Sequence, residues 1–166
     1  MNNKRAFITA AVRGVAFALI TALFTSAPLF QGFLWCVYIG FFLTMAFGVK
    51  VTEFPNYLFS LLAGYVWAVP YVCGHTWLEQ MFELSPLVAL CLSELVLTFL
   101  LIYLHLRFLS KTWLNKVPAV FAGVATVFAA GGLEQIPLCA VSAALGICMA
   151  VGTELIIVAL LKKEDA

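Results

Sequence analysis

The sequence predicts an all-α, polytopic membrane protein that crosses the bilayer six times, built as two inverted three-span units. Three observations predict it: the composition, the placement of basic residues, and a repeated pattern of small residues. Of 166 residues, 64% are apolar and only 10% are charged, with a mean hydropathy of +1.08. Soluble domains carry about 25% charged residues because their surface faces water. Ten per cent cannot cover a soluble domain of this size, so the outer surface meets lipid. The net charge of +1 gives no global field that would attract nucleic acid or an acidic partner.

A spanning helix needs about 20 mostly apolar residues. The candidates are 6–24, 33–49, 55–73, 86–106, 117–130 and 137–161. Pro28, Gln31 and Gly32 separate the first pair; Lys50, Glu53 and Pro55 separate the second from the third. Pro55 and Pro137 suit the first turn of a helix, where a missing N–H costs nothing. The first segment, Lys4-Arg5 followed by an apolar run and Thr25-Ser26-Ala27, resembles a signal peptide. Its length and the interrupting Arg13 instead favour a retained helix. Between the third and fourth spans, Thr76–Leu84 has Trp77, Leu78, Met81 and Phe82 on one side, as either a short interfacial helix or a loop anchored by a tryptophan. The span 117–130 is short, about 21 Å at 1.5 Å per residue, unless it extends back through Thr112–Lys116 or the bilayer thins around it.

Basic residues set the orientation. Lys4, Arg5, Lys50, Arg107, Lys111, Lys116, Lys162 and Lys163 all fall on one side of six spans. The opposite loops hold Glu79, Glu83 and Glu134 and no lysine or arginine. Positive residues mark the cytoplasmic side, so both termini are expected inside. Trp35, Tyr71 and Trp77 then fall near the outer boundary, and Tyr57, Tyr103 and Trp113 near the inner one, as an aromatic belt.

The repeat is a matched order of small residues. Gly40, Gly48, Pro55, Ser60 and Gly64 correspond to Gly123, Gly131, Pro137, Ser142 and Gly146. The units are about 6–78 and 84–161 in a single membrane domain. An odd number of spans per unit inverts the second copy, an architecture frequent among transporters, whose pathway lies between the halves. Small residues also recur in any closely packed membrane helix, so the pattern has a purely structural reading too.

Ionisable residues inside spans are expensive and face protein or water. Arg13 and Glu154 each lie about 10 Å deep from the same side and are expected to pair, as a structural clasp or a transport element. Glu94 lies about 12 Å in with no basic residue at its depth; Ser93 and Thr98 stand close enough to bond it. It is read as a proton-linked or solute-contacting group, or as a neutral acid bonded across a helix pair. Thr44, Thr126, Ser60 and Ser142 are candidate pathway hydroxyls in the repeated helices, although such groups commonly bond their own backbone. His75 and His105, at span ends, read as interfacial polar groups. The five cysteines, Cys36, Cys73, Cys91, Cys139 and Cys148, form neither a disulfide framework nor a zinc pattern, though Cys36, Cys73 and Cys139 share the outer side. No phosphate-binding loop, zinc-protease motif, paired-histidine spacing or nucleic-acid surface is present. No catalytic residue, cofactor or metal is therefore expected.

The run Val117-Pro118-x-x-Phe121-x-Gly123-x-Ala125-Thr126-x-Phe128-Ala129, with Gly132, Pro137 and Leu145-Gly146, resembles the C-terminal half of the bacterial YcdZ-like inner-membrane proteins, domain of unknown function 1097. Phe33-Leu34-x-Cys36 and Gly64-x-Val66-Trp67-Ala68 resemble their first half. The resemblance implies a bacterial cytoplasmic (inner) membrane location and a six-span fold, and it supplies no substrate. Arg13 and Glu94 have no assigned place in the family pattern. The expected function is a small-solute channel or transporter working as a homo-oligomer in the lipid bilayer. The alternative is a non-transporting scaffold or accessory subunit.

Overall fold

The structure, a computed structural model, describes residues 3–164, without the side chains of Lys163 and Glu164. Lys163, one of the basic residues that set the orientation, therefore has its side chain outside the described residues. All regular structure in the described residues is helical: α1 (Asn3–Ser26), α2 (Leu34–Ala46), α3 (Phe54–Phe82), α4 (Pro86–Arg107), α5 (Val117–Ala130) and α6 (Ile136–Glu164). Four of these, α1, α3, α4 and α6, are long and apolar enough to cross a membrane; α2 and α5 are shorter apolar helices.

Helix ends follow local chemistry. Ala27, the residue before Pro28, is extended at φ −102°, ψ 105°, which stops α1. Pro86 and Pro118 sit in the first turns of α4 and α5. At the end of α5, Gly131 takes φ 96°, and the Gly132 N–H reaches back to Val127 O at 3.2 Å, a Schellman closure that needs glycine. The α5 start at Val117 leaves Thr112–Lys116 outside the helix, so at about 21 Å α5 stays short. The segment from Thr76 to Phe82 is neither a separate interfacial helix nor a loop, because α3 runs straight through it to Phe82. The α-helical hydrogen bonds continue past Pro70, and the turn comes only at Glu83, with φ 51°.

The chain divides into two compact units, one of residues up to Phe54 with those from Val141 onward, the other of Pro55–Ala140. In the first, α1, α2 and most of α6 are joined pairwise by three different contacts. Phe17 of α1 packs its ring 5.2 Å from Tyr38 and 4.6 Å from Phe41 of α2. A side chain at Gly40 of α2 would collide with the Ala143 backbone of α6, and one at Gly146 with the backbone of Val37 and Phe41. Arg13 of α1 pairs with Glu154 of α6.

The second unit holds α3, α4 and α5. Here a side chain at Gly64 of α3 would collide with Val120 O and Gly123 of α5, and one at Gly123 with Leu61 O. Tyr71, Leu101, Val120 and Val124 form its apolar core, with Trp67 and Phe121 packed against it. Membrane helices gain no hydrophobic drive from meeting each other, so close approach through small residues supplies their attraction by dispersion.

Not every glycine works this way. Gly14 and Gly152 meet nothing within 4 Å that a Cβ would touch. Gly146→Ala and Gly64→Ala are expected to destabilise by about 1–3 kcal/mol through overpacking. Gly14→Ala, on an exposed helix face, is expected to be neutral or mildly stabilising. Thermal unfolding in one detergent, across the three variants, checks this ordering.

Candidate functional site

In the first unit, Arg13 Nη2 lies 2.8 Å from Glu154 Oε2, and both side chains are under one-fifth exposed. The other carboxylate oxygen, Oε1, lies 3.6 Å from Arg5 Nη2, whose side chain is half exposed. One carboxylate thus receives two guanidiniums from successive levels of α1. Arg13 Nε is buried and has no acceptor. An arginine offers five donors and the cluster contains one carboxylate, so donors outnumber acceptors.

In the second unit, Glu94 is half-buried on α4, and among the described residues no hydrogen bond or ion pair reaches it. Thr98, one turn along, bonds the Tyr71 hydroxyl at 2.8 Å instead. Tyr71 is 3% exposed and belongs to the apolar core of this unit. Glu94 is within electrostatic range of that hydroxyl. Ser93 is buried against Gly74, where a Cβ would come 2.8 Å from the serine Oγ. Glu94, Thr98 and Tyr71 form one polar group of this unit, between α3 and α4, and only the tyrosine's part in it had no sequence signal beyond its hydroxyl.

The hydroxyl positions separate into two kinds. Thr44 donates to Gly40 O at 2.8 Å, and Thr126 to Gly123 O at 2.8 Å, so each satisfies itself on its own helix. Thr126 Oγ1 also lies 3.2 Å from the Tyr65 hydroxyl. Ser60 works across elements: its Oγ donates to Trp113 O at 3.2 Å and accepts the Lys116 N–H at 3.1 Å. It therefore pins the segment before α5 to the first turns of α3. Asn56 bonds Asn115 Oδ1 at 3.1 Å, and Phe59 stacks on Trp113 at 5.2 Å, in the same clasp. Ser142, at the matching repeat position, is fully buried with no partner for its Oγ.

His105 is not an interfacial group. It is 1% exposed, and its Nδ1 lies 2.7 Å from Leu114 O, closing the α4–α5 connection from inside. His75 is half-buried, 3.5 Å from Tyr71 O. Among the described residues no cysteine pair forms a disulfide.

Each unit also carries a lateral groove. One, of about 480 Å³, lies between α3 and α4, with Gly74, Leu92, Ser93, Val96 and Leu97 among its walls. The other, of about 390 Å³, lies between α1 and α6, with Ala11, Val12, Val15, Ala16 and Ile156 among its walls. At one constant offset along the chain, Leu92, Ser93, Val96 and Leu97 fall on Ala11, Val12, Val15 and Ala16, and Glu94 falls on Arg13.

Two tests follow. Ser60→Ala strands a part-buried N–H and a carbonyl and is expected to cost about 0.5–1.5 kcal/mol, whereas Ser142→Ala removes an unpartnered hydroxyl and is expected to be neutral or stabilising. Arg13→Leu and Glu154→Leu are each expected to destabilise by about 1.5–3 kcal/mol. The double variant is expected to be more stable than either single one, because no charge of the pair is left alone. A double-mutant cycle read by thermal unfolding in detergent decides both; additive losses at Arg13 and Glu154 would mean the pair is not coupled.

Comparison with curated proteins and with solved structures returns no match. A family model described as "Protein of unknown function (DUF1097)" matches residues 7–157, nearly the whole chain. The apolar helices suggest a membrane protein, and the chain belongs to the DUF1097 family.

Proposed function

We propose that this protein is a six-span integral membrane protein of two inverted three-span units that conducts or transports a small solute. In this reading both termini are cytoplasmic, the membrane is a bacterial inner membrane, the working form is a homo-oligomer, and the protein is not an enzyme. The observation that carries it is the matched packing inside the two compact units. Gly40 and Gly146 admit backbone to backbone in one, and their repeat counterparts Gly123 and Gly64 do so in the other. Each compact unit takes two helices from one half of the sequence and most or all of a third from the other half. The equivalent groove walls on α1 and α4 give a second, independent line of support. Short helices at matched positions, here α2 and α5, accompany central sites in inverted-repeat transporters. Glu94 is the residue proposed to contact the solute or carry a proton, because a half-buried carboxylate without an ion pair is costly in hydrocarbon and is kept for use.

A non-transporting scaffold is favoured by one observation. Thr44 commits its hydroxyl to its own helix, Thr126 to its own helix and the Tyr65 hydroxyl, and Ser60 to a loop clasp, leaving only Ser142 uncommitted among these candidate hydroxyls.

Light scattering from proteoliposomes, with a panel of small neutral and weakly acidic solutes, separates the two. Faster swelling than in empty vesicles for at least one solute is expected, with Glu94→Gln slowing that solute. Wild-type protein that is folded and inserted yet indistinguishable from empty vesicles across the panel would overturn transport in favour of the scaffold.

A further inference from the structure

The α1/α6 groove and the arginine cluster adjoin. Val12 and Thr153, both in the groove wall, are the chain neighbours of Arg13 and Glu154. The groove is almost wholly apolar, and the cluster beside it holds two guanidiniums against one carboxylate. Among the described residues it keeps one positive charge beyond what Glu154 balances. Arg13 is committed to Glu154 at 2.8 Å; Arg5 touches the same carboxylate only at 3.6 Å, and its side chain is 53% exposed. Arg5 is also the third residue of α1, at the helix end from which a headgroup would be reached.

We propose that this groove binds one anionic phospholipid, with an acyl chain along Val12, Val15 and Ala16 and the headgroup phosphate on Arg5, beside Arg13. Charge complementarity selects the occupant. A zwitterionic lipid fills the apolar groove but leaves the surplus charge, and a free phosphate meets the charge but leaves the groove. Basic side chains at the headgroup level favour anionic lipids by roughly fivefold each. The corresponding groove in the other unit has Glu94 rather than an arginine as the chain neighbour of its wall residue Ser93. The inference is independent of the transport reading.

Native mass spectrometry of the full-length, delipidated protein tests it, using phosphatidylglycerol and phosphatidylcholine of identical chains, with inorganic phosphate as a third arm. Wild type is expected to bind phosphatidylglycerol at least about fivefold more tightly than phosphatidylcholine. Arg5→Gln, a change at an exposed side chain, is expected to bring that ratio towards one. Lys111→Gln, which removes an exposed charge from the other unit, is expected to leave it unchanged. Equal affinity for the two lipids, an unaltered ratio in Arg5→Gln, or an equal loss in Lys111→Gln would each overturn the site. Inorganic phosphate stabilising the protein as much as phosphatidylglycerol, with the same Arg5 dependence, would overturn the lipid assignment in favour of a free anion.

Discussion

Helix backbones meet here only where a side chain is missing, and the rest of each unit is arranged around that contact. At Gly40 and Gly146 in one unit, and at Gly64 and Gly123 in the other, even one methyl group would enter the backbone opposite. Dispersion between helices falls steeply with distance, and in lipid no hydrophobic gain replaces it. The glycines therefore fix which helices are neighbours. Once α2 lies against α6, α1 closes the group through Phe17 on one side and Arg13 on the other. Once α3 lies against α5, the Tyr71–Thr98 bond and the Ser93–Gly74 contact bring in α4.

Polar groups have been placed to keep this packing from being paid back in desolvation. Thr44 turns its hydroxyl onto its own helix, which costs no partner from elsewhere, and Thr126 does the same while also meeting the Tyr65 hydroxyl of α3. Ser60, Asn56 and His105 instead hold the chain between α4 and α5, where backbone groups outside a helix need partners. That clasp explains why α5 starts at Val117 and does not run back toward α4. Arg13 and Glu154 meet in one unit, while Glu94, at the same sequence offset on α4, has no ion partner among the described residues. The asymmetry makes the two grooves chemically different although their walls correspond. One is flanked by surplus positive charge and the other by a carboxylate, so a lipid on the first and a solute or proton on the second are compatible roles.

Hydropathy gave the helices themselves, because a stretch of apolar residues has to hydrogen-bond its own backbone in lipid. Pro28, Pro55 and Pro137 marked ends that the structure keeps within a few residues. Counting depth along α1 and α6 put Arg13 and Glu154 at one level, and a level is a property of a single helix that rise per residue supplies. The recurrence of Gly40, Ser60 and Gly64 at Gly123, Ser142 and Gly146 was likewise visible as spacing.

What spacing could not give is rotation about the helix axis and the identity of the neighbour. Tyr71 and His105 sit at span ends, where the sequence assigns them to water, yet both point inward and are buried. Thr98 was within reach of Glu94 along the helix and is taken by Tyr71 from another. Arg5, counted only as a charge outside the first span, reaches Glu154 as well. Ser60 and Ser142 recur at matched spacing in the sequence and differ completely in partners, because the loop that satisfies the first has no counterpart at Ser142 among the described residues. Composition, helix limits and depth were thus determined by the sequence, since each follows from the chain's own covalent geometry and its need to satisfy its backbone in hydrocarbon. Which hydroxyls, histidines and arginines meet was decided by tertiary structure, since contact depends on the direction of each side chain from its axis and on which backbone glycine allows to come near.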